Sequence, residues 1–188
     1  MPMLNAEQSM QAAHAFCEAV FTARPPSLRL NARPDTLTQA AVRALALAHA
    51  LPLPIPDAAR RNQVLAGLAL LWHDHWDECH KIAQADEGDP GHDLLHALFH
   101  RREGDFGNAE YWFRRAGKHP SYPILAERLP ALALPPALQA AILPGGRWST
   151  QAFNAEVRLR ARETSPAAET LEMIQAEEYR SLAISLFG

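Results

Sequence analysis

This 188-residue chain has only two cysteines, Cys17 and Cys79. That is too few for a disulfide framework or a thiolate zinc site, so both read as small core hydrophobes in a reducing compartment, with one Cys17–Cys79 bridge left open. Surplus positive charge is missing as well, because 18 lysines and arginines face 21 acidic residues and leave a net charge of −3. Such a balance supplies no field for DNA, RNA or an anionic bilayer, whose binding depends on clustered cations. Long apolar runs are also lacking. MPMLNAEQSMQ has no basic start leading into an apolar stretch, and AAVRALALAHAL is short and interrupted by Arg43, so neither reads as a signal or a membrane span. A cytoplasmic protein with no nucleic-acid and no membrane partner is expected. The chain has no Gly-rich phosphate loop, no nucleophile elbow and no HExxH pair, and so lacks the common enzyme signatures.

What the chain does have is apolar mass and punctuation. A hydrophobic fraction of 48% is ample for one core, and the length suits one domain spanning residues 1–188. Fifteen prolines divide it into segments, since proline starts helices but does not continue them. The segments read as helices and the predicted fold class is all-α, a compact bundle of helical hairpins, with no β alternation competing. The N-terminal helices occupy residues 1–51. Asn5, with Gln8 as its capping-box partner, opens a helix of about residues 6–22 that RPPS ends, and Asp35 or Thr36 opens a second to about His49. PLPIP breaks the chain. Asp57 caps a third helix through VLAGLALLW, apolar on nearly every side and therefore central.

Residues 57–120 read as repeat-like hairpins. Residues 76–90 answer residues 106–120, with Trp76 matching Phe106, Cys79 matching Ala109 and Pro90 matching Pro120. GDFGNAEYWFRRAGKHP resembles the second helix of a tetratricopeptide repeat, with small residues at close approaches, an aromatic filling the gap and glycine at the turn. Residues 121–146 form a Leu/Ala/Pro-rich connection of one or two short helices. Residues 147–188 hold the C-terminal helices, capped at Ser149 or Thr150 and at Ser165-Pro166, the last packing over the hairpins. Its apolar stripe of Leu171, Ile174, Leu182 and Leu186 also carries Gln175 and Glu178. A carboxylate in a core stripe needs a partner, because an unpaired buried charge costs several kcal/mol.

Candidate partners cluster between residues 73 and 119. His92, His96 and His100 fall on successive turns of one helix with Glu103 on the same stripe. A histidine pair at i,i+4 with a nearby carboxylate is a metal-ligand spacing, and His80 is the candidate for completing a set of His80, His96, His100 and Glu103. The same residues on a solvated face form an ordinary polar network. His80 and His100 are the candidate general bases, with Asp77 one turn before His80 to orient it. Arg101 and Arg102 suit an anion clamp, while Glu110 at i,i+4 to Arg114 suits a plain salt bridge. His73 and His75 read as exposed turn residues. Trp72, Trp76, Tyr111 and Trp112 read mainly as core aromatics.

The stretches WHDHWDECHKIAQ, LLHALFHRREGDFGNAEYWFRRAGKHP and IQAEEYRSL resemble a family of largely uncharacterised bacterial and fungal proteins. The matching elements here are His80; His96, His100, Arg101, Arg102, Glu103 and Asp105; Tyr111, Trp112, Arg114 and Arg115; His119; and Gln175 and Glu178. The resemblance covers roughly residues 64–120 well and 148–185 weakly. It implies that these residues act together in a small pocket holding His80, His96, His100, Asp105, an arginine or two and Glu178. Tyr111, Arg115 and Gln175 would line it. Two functions follow as expectations. The first is a repeat-like binding module for a peptide or small anionic ligand, with a largely structural polar network. The second is a small enzyme with a histidine base or a divalent metal beside an arginine clamp.

Overall fold

The computed structural model describes residues 5–22, 24–52 and 57–188. Ten α-helices and no strand occur among the described residues: α1 (Ala6–Val20), α2 (Gln39–Ala48), α3 (Ala58–Trp72), α4 (Trp76–Ala83), α5 (Pro90–Glu103), α6 (Phe106–Ala116), α7 (Ser121–Arg128), α8 (Pro136–Ile142), α9 (Thr150–Arg160) and α10 (Pro166–Phe187). No described helix is long and apolar enough to cross a membrane. The all-α expectation holds. Local chemistry starts several helices where the sequence places them. Asn5 and Gln8 form the reciprocal capping box of α1, Ser149 accepts from the Ala152 amide at the start of α9, and Ser165 does the same for Ala168 ahead of Pro166, each satisfying an amide the helix leaves unpaired.

Two starts differ from expectation. The second helix begins at Gln39 with Thr38 as its cap, later than Asp35 or Thr36. The preceding residues are taken by the turn after α3, where Leu37 donates its amide to His73 Nδ1 at 3.3 Å and its carbonyl accepts from His75 Nε2 at 2.8 Å. Asp57 makes no side-chain cap on α3; it lies at φ 59° and pairs with Arg60 at 3.5 Å instead. Both cysteines are free, so the one bridge the sequence left open is not formed. Most of PLPIP, residues 53–56, lies outside the described residues.

α3 is central, as its apolar circumference requires, with Val64, Leu65 and Gly67 through Trp72 all buried. Gly67 is the point of closest approach: a Cβ there would lie 2.4 Å from Leu95 on α5 and 3.2 Å from Ile82 on α4. α3 with α4 and α5 with α6 make two adjoining hairpins. α1, α2, the hairpins and the end of α10 enclose one apolar cluster. A second, around Leu125, Leu129, Ile142, Trp148, Phe153, Leu171 and Ile174, joins α7, α8, α9 and the first half of α10. The Leu/Ala/Pro-rich connection thus becomes α7 and α8 and supplies core. α5 differs most from its sequence reading: Gly91 through Arg102 are all buried, so this charged helix is enclosed on every side and has no solvated face.

Candidate functional site

α5 and α6 run against each other in a fixed register. Asp93 Oδ2 meets Arg115 Nε at 3.3 Å, His96 stacks on Trp112 with ring centroids 4.0 Å apart, and His100 Nε2 meets Asn108 Nδ2 at 3.1 Å. Each step of three or four residues along α5 matches an equal step back along α6. The turn depends on Gly104, whose φ of 90° belongs to the left-handed region that glycine enters without penalty. Asp105 then caps α6 by accepting from the Asn108 amide at 3.1 Å.

This register aims His96 and His100 at α4, where His80 meets them. His80 Nε2 and His96 Nε2 are 2.9 Å apart, and one ligand atom from each of His80, His96 and His100 lies within 4.8 Å of the other two. His80 lies flat on Phe99 at 4.3 Å between ring centroids, and His96 stacks on His100 at 4.7 Å. Apolar and aromatic walls therefore hold three imidazoles in a set geometry. Asp77, expected to orient His80, makes no hydrogen bond to it among the described residues.

The electrostatics favour neutral rings. Burial pushes His96 down to about 3, and neighbouring His100, His80 and Arg115 add to the effect. His80 is lowered as well, by burial first and then by His100, against weaker opposition from Glu103 and Asp77. Neutral imidazole is the form that ligates metal. The tautomer of His100 follows from its partners: Nδ1 lies 2.8 Å from Glu103 Oε2, an acceptor only, so Nδ1 carries the hydrogen, and the Nε2 lone pair accepts from Asn108 Nδ2 at 3.1 Å, a bond that a metal would replace. A carboxylate on the far nitrogen of a ligating histidine is the usual outer-shell arrangement. Glu103 is therefore placed to orient a ligand, and it is not in the group formed by His80 and His96. It belongs instead to a second, more exposed group with His100 and Asp105.

The remaining sequence candidates go elsewhere. Arg101 is fully buried and forms a two-pronged pair with Glu178 on α10, one prong being Nη1 to Oε1 at 3.2 Å. Glu178 thus has the partner its place on an apolar stripe demanded. Arg102, also fully buried, donates to Asp74 at 2.8 Å and to the carbonyls of Leu71 at 2.6 Å and Ser27 at 3.0 Å. Both guanidinium groups are consumed inside the fold, so neither forms the expected anion clamp. Gln175 donates to the carbonyls of Pro26 and Ser27. Tyr111 is exposed and accepts from Arg115 at 3.2 Å. The single pocket expected from the motifs thus resolves into a histidine cluster on one side of α5 and a buried arginine network on the others.

His92 leaves the histidine stripe to bond Asp89 at 2.9 Å. His73, read as exposed, is buried and donates from Nε2 to the Val20 carbonyl at 2.9 Å while Nδ1 accepts from Leu37. Glu110 lies 3.4 Å from Asn154 and makes no ion pair with Arg114 among the described residues. Sequence reasoning missed Asn108, and it counts Asp74 among the acidic residues near the arginines without assigning it a partner. The hairpin register would have found Asn108 opposite His100. Asp74 sits in the α3–α4 turn at φ 64° and looks like a turn residue, yet it pairs with both Arg102 and Arg33. No family model matches this chain, and neither comparison with curated proteins nor comparison with solved structures finds a similar one.

Proposed function

We propose that this protein is a helical metal-binding module, holding one divalent transition ion through His80, His96 and His100. The observation that carries the reading is the convergence of three imidazoles on one point from two hairpins, with His80 and His96 both favoured in the neutral form. With Zn–N distances of about 2.0 to 2.1 Å, tetrahedral ligand nitrogens stand about 3.3 Å apart. Replacing the proton between His80 and His96, now 2.9 Å apart, therefore needs only a small opening. An all-imidazole set suits zinc, and also copper, iron or nickel. The tetratricopeptide-like reading of the hairpins and the family resemblance fit this picture as scaffold.

The metal takes precedence over a peptide or small anion at this position, because the arginines meant to hold an anion there are paired internally. The enzyme alternative rests on a feature of the same donor set. Three protein ligands leave a fourth position for water, the arrangement of catalytic zinc, and half-buried His80 is on the accessible side.

The test is metal titration of chelator-treated protein with zinc and cobalt, read by elemental analysis after gel filtration and by cobalt absorption. Wild-type protein is expected to retain one equivalent with tetrahedral cobalt bands. His80→Ala, altering the least buried ligand, is expected to lose both while keeping its helical circular dichroism. Wild-type protein that retains no more metal than a folded His80→Ala variant would overturn the reading.

A further inference from the structure

Beside the α5–α6 turn, a pocket of about 550 Å³ with no histidine in its lining is formed by Arg29, Gly104, Phe106, Gly107, Arg158, Leu159, Ala161 and Arg162. Three arginines line it and no acidic residue does. None of the three forms an ion pair among the described residues, whereas Arg160, between two of them in sequence, is paired with Glu156 at 2.6 Å. Arg158 lies in the last turn of α9, and Arg162 lies two residues beyond its end, in the turn that follows. Arg29 converges on them from the N-terminal segment. Three unneutralised cations around one concavity are complementary to an anion.

The position of Arg29 is prepared by the fold. Its carbonyl accepts from Ser27 Oγ at 2.7 Å and from Arg102 Nη2 at 3.3 Å, and the next amide, Leu30, donates to the Arg102 carbonyl at 2.8 Å. Its guanidinium lies over Gly104, where a Cβ would meet Nη1 at 2.6 Å. Gly104 therefore serves both the turn and the seating of this side chain. Gly107, in the first turn of α6, lines the pocket with bare backbone.

We propose that this pocket binds the phosphoryl group of a small phosphate ester or diphosphate. A phosphoryl group carries about 1.5 to 2 negative charges near neutral pH and three strong acceptor oxygens, which match several planar guanidinium forks better than a monocarboxylate does. Phe106 and Leu159 offer an apolar flank for the esterified part. The chain's net charge of −3 disfavours a long polyanion and leaves the pocket to a small ligand. The assignment is independent of the metal site.

The experiment is calorimetric titration of chelator-treated protein with inorganic pyrophosphate at low ionic strength, with inorganic phosphate and succinate as comparison arms. Wild-type protein is expected to bind pyrophosphate with a Kd below about 1 mM and to bind succinate at least about tenfold more weakly. The Arg158→Ser/Arg162→Ser variant alters two exposed side chains; it is expected to keep its helical circular dichroism and to bind pyrophosphate at least about tenfold more weakly. His80→Ala is expected to bind it as wild type does. The proposal is overturned by unchanged affinity in the arginine variant, by succinate binding as tightly as pyrophosphate, by absence of any heat at about 10 mM, or by loss of binding in His80→Ala, which would place the anion at the histidines.

Discussion

At the scale of the residue, the histidines divide by what surrounds each ring. His119 shows this away from the cluster: its Nδ1 accepts from the Ser121 amide at 3.1 Å, and burial pushes it down to about 4 from an ordinary value of 6.5. Because the folded value lies below the unfolded one, the stabilisation from keeping this ring neutral is complete above about pH 6.5 and is lost as pH falls toward 4. Urea unfolding of His119→Gln is therefore expected to show a drop in stability between pH 7.5 and 4.5 that is smaller than wild type's by roughly 2 to 3 kcal/mol. An identical pH dependence in the two proteins would contradict this. Glu103 is half-exposed at its side chain and bonds His100 at 2.8 Å. If it orients that ring, Glu103→Gln lowers zinc affinity by about 10- to 100-fold without changing the stoichiometry. The residue types of the site were legible in the sequence: His80, His96 and His100 all stand out. Their roles were not, since a histidine at i,i+4 looks the same whether its nitrogen faces water, a carbonyl or another imidazole.

At the scale of the element, α5 is the organising helix. Its sequence, with three histidines and two arginines, suggests one polar face; its surroundings, buried from Gly91 through Arg102, make each turn of it a separate polar contact. The hydrophobic period misleads here because an ion-paired or capped side chain can be buried without being apolar. The turn ending α5 carries a prediction of its own. Gly104→Ala places a side chain at φ 90° and drives its Cβ to 2.6 Å from Arg29, so chemical denaturation should show a loss of about 1 to 3 kcal/mol. Gly67→Ala makes a different demand, forcing α3 away from Leu95, 2.4 Å from the new Cβ. A similar loss of about 1 to 3 kcal/mol is expected from overpacking. Capping was the best-read feature at this scale: Asn5, Ser149 and Ser165 each do what their spacing announces, because a cap is decided within four residues.

At the scale of the whole molecule, two buried ion pairs tie distant segments to α5. Arg101–Glu178 fastens α10, and Arg102–Asp74 fastens the α3–α4 turn while the same guanidinium holds the carbonyl of Ser27. Glu178→Gln leaves Arg101 buried without its counter-charge and is expected to destabilise the fold by about 3 to 5 kcal/mol, read by urea denaturation. Arg101→Met combined with Glu178→Leu should recover most of that loss, since a buried pair is close to neutral against a well-packed apolar substitute. A double variant as unstable as Glu178→Gln would assign the pair a role beyond charge compensation.

The features readable along the chain are local or compositional: an all-α chain, its best-capped helix starts, the central apolar helix α3, and the demand that Glu178 find a partner. These follow from the 3.6-residue period, side-chain-to-backbone bonds a few residues apart, and the cost of an isolated buried charge. Packing alone settled which cation answered Glu178, which histidines met, and which arginines have no ion pair among the described residues. Arg101 and Arg102 are neighbours in sequence, yet they reach opposite ends of the chain, while Arg29 and Arg158 come from distant segments to one pocket. Successive helical residues project about 100° apart, so adjacency along the chain separates them, and only the packing of one helix against others settles what each side chain meets.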